Sequence, residues 1–87
     1  MSEKIIGSAI QYNGQIFSVL APGRHSDCIA IVHNVFGEDR IGVEEQGFIT
    51  SENRYVDRYQ AKEIASRNGQ MLPRASPLPE LFSEDVW

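Results

Sequence analysis

Residues 47–70 read GFITSENRYVDRYQAKEIASRNGQ, and their order dictates the kind of fold this chain can adopt. Gly47-Phe48-Ile49-Thr50 and Arg54-Tyr55-Val56 are short runs of β-favouring residues on either side of Ser51-Glu52-Asn53, a cluster of turn formers. A hairpin is predicted there. A helix with both ends marked follows it. Asp57 suits the N-cap, and Gln60 stands three residues later, where a capping box requires it. Val56 and Ala61 can form a small hydrophobic staple, and Ala61, Ile64, Ala65 and Asn68 share one stripe. Asn68-Gly69 then supplies a left-handed C-cap. No enzyme signature lies in this stretch.

Toward the N-terminus, a second hairpin is predicted between Ile5 and Val19. Ile6, Ser8, Ile10 and Tyr12 would share one face of its first arm, and Gln15, Phe17 and Val19 alternate on its second. Asn13-Gly14 between them is the pair best able to take positive φ at both centres of a type I′ turn. Ala21-Pro22-Gly23 breaks the strand. Cys28, Ile29, Ile31, Val32, Val35 and Phe36 then recur at helical spacing, with Ser26 or Asp27 as cap and Gly37 as terminator. The β-branched residues lower helix propensity, so packing against the sheet must hold this helix together. Residues 38–46 form a polar, acidic connection in which Ile41 and Val43 alternate, and both a short strand and a loop are open there.

Beyond Gly69, Pro73, Pro77 and Pro79 make an extended connector to Leu81-Phe82-Ser83-Glu84-Asp85-Val86-Trp87. The tail has two readings, a disordered segment or a docked one, and three large apolar residues in those seven favour docking, on the same chain or on a second subunit. The expected architecture is therefore α+β: a small antiparallel sheet of two β-hairpins packed against two helices, with an extended C-terminal tail. Residues 1–72 would form the compact domain, and residues 73–87 the proline-rich connector and docking tail.

Bulk properties narrow the function. Eighty-seven residues make one domain with a thin core. The formal net charge is −4, and Glu80, Glu84 and Asp85 in the tail carry three of the acidic charges. No basic block is present, which argues against a long nucleic acid as partner. One cysteine, Cys28, permits no intrachain disulfide and suits a reducing compartment. No run approaches the length of a membrane span, and MSEK has no hydrophobic signal segment behind it, so a cytoplasmic protein is expected.

The most site-like cluster is Arg24-His25-Ser26-Asp27. A glycine-led turn at a helix start presents free N–H groups that suit a phosphate, and Arg24 and His25 would add donors. The plainer reading is a packed His25 and a solvated Arg24. Thr50, Ser51, Tyr55 and Arg58 gather around the second hairpin, where Tyr55 could stack on a base and the polar groups could read its edges. Phe48 is assigned to the core. Arg58 opposes the helix dipole in the first turn, which suits a ligand role. The plainer alternative is a solvated helix face shared with Lys62, Glu63 and Arg67. With two histidines and one cysteine, a closed zinc site is not expected, and neither a catalytic set nor a cofactor is predicted.

Read in order, Gly23-Arg24-His25-x-Asp27-Cys28-Ile29, Gln46-Gly47-Phe48-Ile49-Thr50-Ser51, Arg54-Tyr55-Val56-x-Arg58, Ala61-x-x-Ile64-Ala65, Gly69-Gln70 and the Leu81-to-Trp87 ending form a pattern. It resembles a widespread family of small phage and prophage proteins with an R-H-H-D block, a G-F-x-T-S hairpin and an L-F-S-E-D-L-W ending. Ser26 stands where that family usually has its second histidine, which weakens any mechanism needing both. The connection before Gly47 is also longer and more acidic than the family pattern. A relation to the phage anti-CBASS sponge proteins would imply binding of a small cyclic nucleotide without cleavage, in the cytoplasm of the infected bacterial host. Arg24, His25, Thr50, Ser51, Tyr55 and Arg58 would be the ligand-binding residues. A chain this small would need a pocket shared between subunits, hence a homodimer or higher homo-oligomer. The competing reading is a phage accessory protein that inhibits a host protein by direct contact, through the acidic tail. A third reading, a small phosphodiesterase using His25 and Asp27, is the least favoured.

Overall fold

The computed structural model describes residues 3–37, 42 and 45–87. β1 (Ile5–Tyr12) and β2 (Gln15–Leu20) form the first hairpin, turned by Asn13 and Gly14 at φ +54° and +74° as a type I′ turn demands. β3 (Gln46–Thr50) and β4 (Tyr55–Asp57) form the second, and Asn53 takes φ +60° at the end of its loop. All pairings are antiparallel, and the sheet order is β2-β1-β3-β4. The two N-terminal strands of the hairpins are thus central neighbours. The connection in residues 38–46 falls largely outside the described residues. Of it, Gly42 and Glu45 are joined by a Glu45 N–H to Gly42 carbonyl bond of 3.0 Å.

Both helices pack on one face of the sheet. α1 (His25–Phe36) buries Cys28 and Val32 against Ile10, with Tyr12, Phe17, Val19 and Ile29 around them. α2 (Arg58–Arg67) buries Ala61, Ile64 and Ala65 against Ile5, Phe48 and Val56. One expectation for β1 is corrected. Ile5 pairs with Thr50 but Gly7 with Ile49, so a bulge at Ile6 shifts the alternation. Ile5, Ser8 and Ile10 are buried, whereas Ile6 is 36% exposed.

The helix ends follow local chemistry. Asp57 accepts from the Gln60 N–H at 2.8 Å while the Gln60 side chain accepts from the Asp57 N–H at 3.2 Å, a complete capping box. At the other end, Gly69 takes φ +66°, and the Gln70 and Gly69 N–H groups bond the Ala65 and Ser66 carbonyls, which is a Schellman motif. Gln70 then uses its side-chain amide to bond both the N–H and the C=O of Ile5, at 2.9 and 2.8 Å. Gly37 ends α1 at φ +72°.

The tail completes the core on its own chain. Leu81 is fully buried in the α2 cluster, and Met71, Val86 and Trp87 pack around it. A 3-10 turn, Ser83–Asp85, is clamped by Asp85, whose two carboxylate oxygens accept from the Ser76 and Phe82 N–H groups, each at 2.9 Å.

Candidate functional site

α1 follows β2 from its Leu20 end, and α2 follows β4 from the opposite, Asp57 end. Both first residues nevertheless reach the start of β3, His25 at the Gly47 carbonyl and Arg58 at the Gln46 side chain, and the tail bonds beside both. Arg24 is the N-cap of α1, in extended geometry, and its N–H donates to Asp27 Oδ2 at 2.8 Å. The helix therefore starts earlier than Ser26 or Asp27 would have set it. Asp27 sits at the third helical position and supplies one half of a capping box; Arg24, a donor only, cannot supply the other. The N–H groups of His25 and Ser26 fall in the first turn, where a helix offers them no acceptor. Arg24 Nη1 is shielded from solvent and has no hydrogen-bond partner among the described residues. A buried cationic donor without an acceptor is costly, and an anionic oxygen would satisfy it.

His25 is the first residue of α1 and is buried. Its Nε2 lies 2.7 Å from the Gly47 carbonyl oxygen. A carbonyl only accepts, so Nε2 carries the proton and the neutral ring holds Nδ1 bare. The ring stands edge-on to Phe48, with centroids 4.9 Å apart. Burial pushes its pKa below the ordinary histidine value; the Gly47 bond and the Glu84 charge oppose that shift, and the Arg58 charge adds to it.

Arg58, the first residue of α2, is 7% exposed and so does not belong to the solvated face formed by its neighbours. Its Nη1 donates to the Leu81 carbonyl and its Nη2 to Gln46 Oε1, both at 2.5 Å, with the guanidinium 4.9 Å from the Phe82 ring centroid. The Leu81 N–H returns a 3.0 Å bond to the Arg58 carbonyl. These partners explain an arginine placed against the helix dipole: it fastens the tail. Its Nε remains buried without a partner among the described residues. Trp87 makes a second fastening, with Nε1 donating at 2.9 Å to the Gly23 carbonyl, which also accepts from Ser8 Oγ.

The remaining candidates lie elsewhere. Thr50 and Ser51 stand at the far end of β3, about 13 Å of strand away from Gln46. Thr50 Oγ1 donates to Glu3 Oε2 at 2.5 Å, and Ser51 Oγ accepts from the Lys4 N–H at 2.9 Å. Arg54 pairs with the same Glu3 carboxylate at 2.8 Å, and this bonding holds the Glu3 pKa below the usual carboxylate value. Tyr55 pairs with Ile49, one place out of phase with Phe48 and Val56, and therefore lies on the helix-free face. There it covers Gly47 and donates to the Glu45 carbonyl at 3.3 Å. The structure thus brings His25 and Arg58 to the start of β3, with Arg24 preceding His25 at the N-cap of α1, and leaves Thr50, Ser51 and Tyr55 apart. Sequence reasoning expected Leu81 and Trp87 to dock but did not pair them with Arg58 and Gly23, and it missed Gln46 and Asp85 as partners in this region. The dense apolar and acidic ending was the available signal.

Among the described residues no group of three His, Cys, Asp or Glu side chains could hold a metal ion. No helix there is long and apolar enough to cross a membrane. Cys28 is buried, and burial pushes its thiol up to about 11. What the geometry defines is a small α+β domain whose C-terminal tail ties down the N-termini of two helices, with two buried guanidinium nitrogens, Arg24 Nη1 and Arg58 Nε, unpaired among the described residues.

A protein-family model described as the Phage T4 y16D protein matches residues 4–87. The chain belongs to that family of phage proteins. No curated protein and no solved structure matches it.

Proposed function

We propose that this phage protein binds a cyclic oligonucleotide signal in the cytoplasm of the infected host and withholds it without cleaving it. The observation that carries the reading is the solvent-shielded Arg24 Nη1, without an acceptor among the described residues, at a helix start whose first-turn N–H groups also need one. A phosphate oxygen satisfies both. Binding without turnover is supported by the state of the nearby groups. His25 is neutral with Nε2 committed to Gly47, and the Cys28 thiol is buried and protonated. The other arginine of this region, Arg58, has both Nη groups committed to protein acceptors, so Arg24 is the phosphate ligand of choice.

Inhibition of a host protein through the tail is the less favoured reading. Leu81, Ser83 and Asp85 are already buried in the chain's own fold.

The test is calorimetric titration with a panel of cyclic di- and trinucleotides and cyclic ADP-ribose isomers, followed by heat release and mass measurement of the ligand. Binding with the ligand recovered intact supports sequestration. Arg24→Ala should then weaken binding by about 1.5–3 kcal/mol. A cleaved product, lost again in His25→Ala, would move the case to an enzyme. No heat with any ligand would put host-protein contact in front.

A further inference from the structure

The outer edge of β2 has the character of a pairing surface rather than a solvent edge. Among the described residues the sheet ends on β2 and β4. β4 is three residues long, ends on Asp57 and runs directly into α2, all devices that blunt an edge. β2 has six residues, Gln15-Ile16-Phe17-Ser18-Val19-Leu20, with no charge, no proline and no bulge against β1. Ile16 and Leu20 are 47% and 67% exposed. Natural edge strands of this length that must face water carry protection that this one lacks.

The hydrogen-bond phase shows which groups face outward. Tyr12 pairs with Gln15 across a two-residue turn, and the Ala21 N–H bonds the Ile6 carbonyl at 2.9 Å. In an antiparallel ladder the bonded pairs alternate, so Gln15, Phe17, Val19 and Ala21 bond to β1. The backbone groups of Ile16 and Ser18 and the Leu20 N–H therefore point away from the sheet, while the Leu20 carbonyl already accepts the Gly23 N–H at 2.8 Å and offers only its second lone pair. The side chains of Ile16, Ser18 and Leu20 also share one face, the helix-free one, because Phe17 and Val19 pack into the α1 cluster.

These three residues are complementary to themselves. We propose that two copies of this chain pair β2 with β2 in antiparallel fashion about a two-fold axis at Ser18, making one eight-stranded sheet. In that register Ser18 opposes Ser18 of the second copy as a bonded pair. Ile16 opposes Leu20, so each exposed apolar side chain meets another across the ladder. No like charges are brought together, since β2 has none. Any one-residue slip would direct bonded backbone groups at the partner and lose the ladder. The pairing needs no ligand, so it stands or falls apart from the proposed nucleotide binding.

Sedimentation equilibrium of the intact chain should give the mass of two chains at micromolar concentration. Ile16→Lys and Leu20→Lys, both on exposed positions, should shift it to one chain with unchanged circular dichroism. Register is read by cross-linking. Bonded antiparallel partners have Cα atoms about 5.5 Å apart, within reach of a disulfide. Ser18→Cys should therefore cross-link to itself on mild oxidation. Ile16→Cys should not, because the two copies of residue 16 would be about 13 Å apart along the strand. A wild-type protein that stays a single chain, or a dimer that survives both lysine variants, overturns the proposal. So does self-cross-linking of Ile16→Cys in preference to Ser18→Cys.

Discussion

The indole Nε1 of Trp87 donates to the carbonyl oxygen of Gly23 at 2.9 Å, tying the last residue to the turn that leads into α1. Trp87 also packs edge-on against Phe48, with centroids 6.2 Å apart. Trp87→Ala removes a half-buried aromatic and a hydrogen bond and should cost about 2 kcal/mol of stability in urea denaturation. In the wild type the single tryptophan reports on the tail. Its fluorescence transition should coincide with the circular dichroism transition, because Leu81 and Trp87 belong to the same core as α2. An earlier fluorescence transition would make the tail a separate unit.

Arg58 provides a sharper test of the tail's attachment. Arg58→Ala strands the Leu81 carbonyl and the tail beneath it, and a loss of about 3 kcal/mol is expected. Arg58→Lys should recover little of this, since an ammonium cannot span the Leu81 carbonyl and Gln46 Oε1 as a planar fork does. Full recovery by lysine would show that charge alone matters there.

His25 should make stability depend on pH. Its folded pKa lies below the ordinary 6.5, chiefly because it is buried. The unfolded chain therefore binds the proton more tightly, and the contribution is complete above about pH 6.5. It is lost as pH falls through that value toward the folded pKa. Unfolding midpoints measured from pH 8 down to pH 5 should decline in the wild type and flatten in His25→Gln.

Gly47 is needed for close approach. A Cβ there would lie 2.6 Å from Tyr55 Cζ and Oη, and closer still to the Val56 carbonyl oxygen. Gly47→Ala should destabilise by about 2 kcal/mol. Adding Tyr55→Ala should not restore stability, because the carbonyl is backbone and stays where it is. Thermal melts of the single and double variants check this.

Cys28 donates through Sγ to the Ser8 carbonyl at 3.4 Å and is held protonated by burial, its thiol pushed up to about 11. A disulfide-exchange reagent at pH 8 should leave it untouched in the folded protein and react at once in denaturant. Rapid reaction in the native state would contradict the packing of α1.

Much of the local structure was legible in the residues because short-range chemistry decides it. Asn13-Gly14 favours positive φ, Asp57 and Gln60 face each other across one turn, and Gly69 alone follows Asn68 cheaply into the left-handed region. Each of these depends on neighbours within four residues. The stripe of Ala61, Ile64 and Ala65 needed only helical periodicity and an apolar surface to meet.

What lay beyond reach depended on distant partners. The charge pattern of α2 reads Arg58 as surface or as ligand site; only the Leu81 carbonyl, 23 residues on, and Gln46, 12 residues back, make it a buried tie. Ile6 follows the alternation of its strand until the bulge against β3 turns it outward. Thr50, Ser51 and Tyr55 sit close to Arg58 in sequence, yet a strand length and a sheet face divide them from it. The sequence by itself determined the turn of the first hairpin, both ends of α2 and the Gly37 stop of α1, because backbone caps and turns are local contests. Tertiary structure alone decided which side chains meet, because desolvation and hydrogen bonding reward partners across the sheet regardless of their separation along the chain.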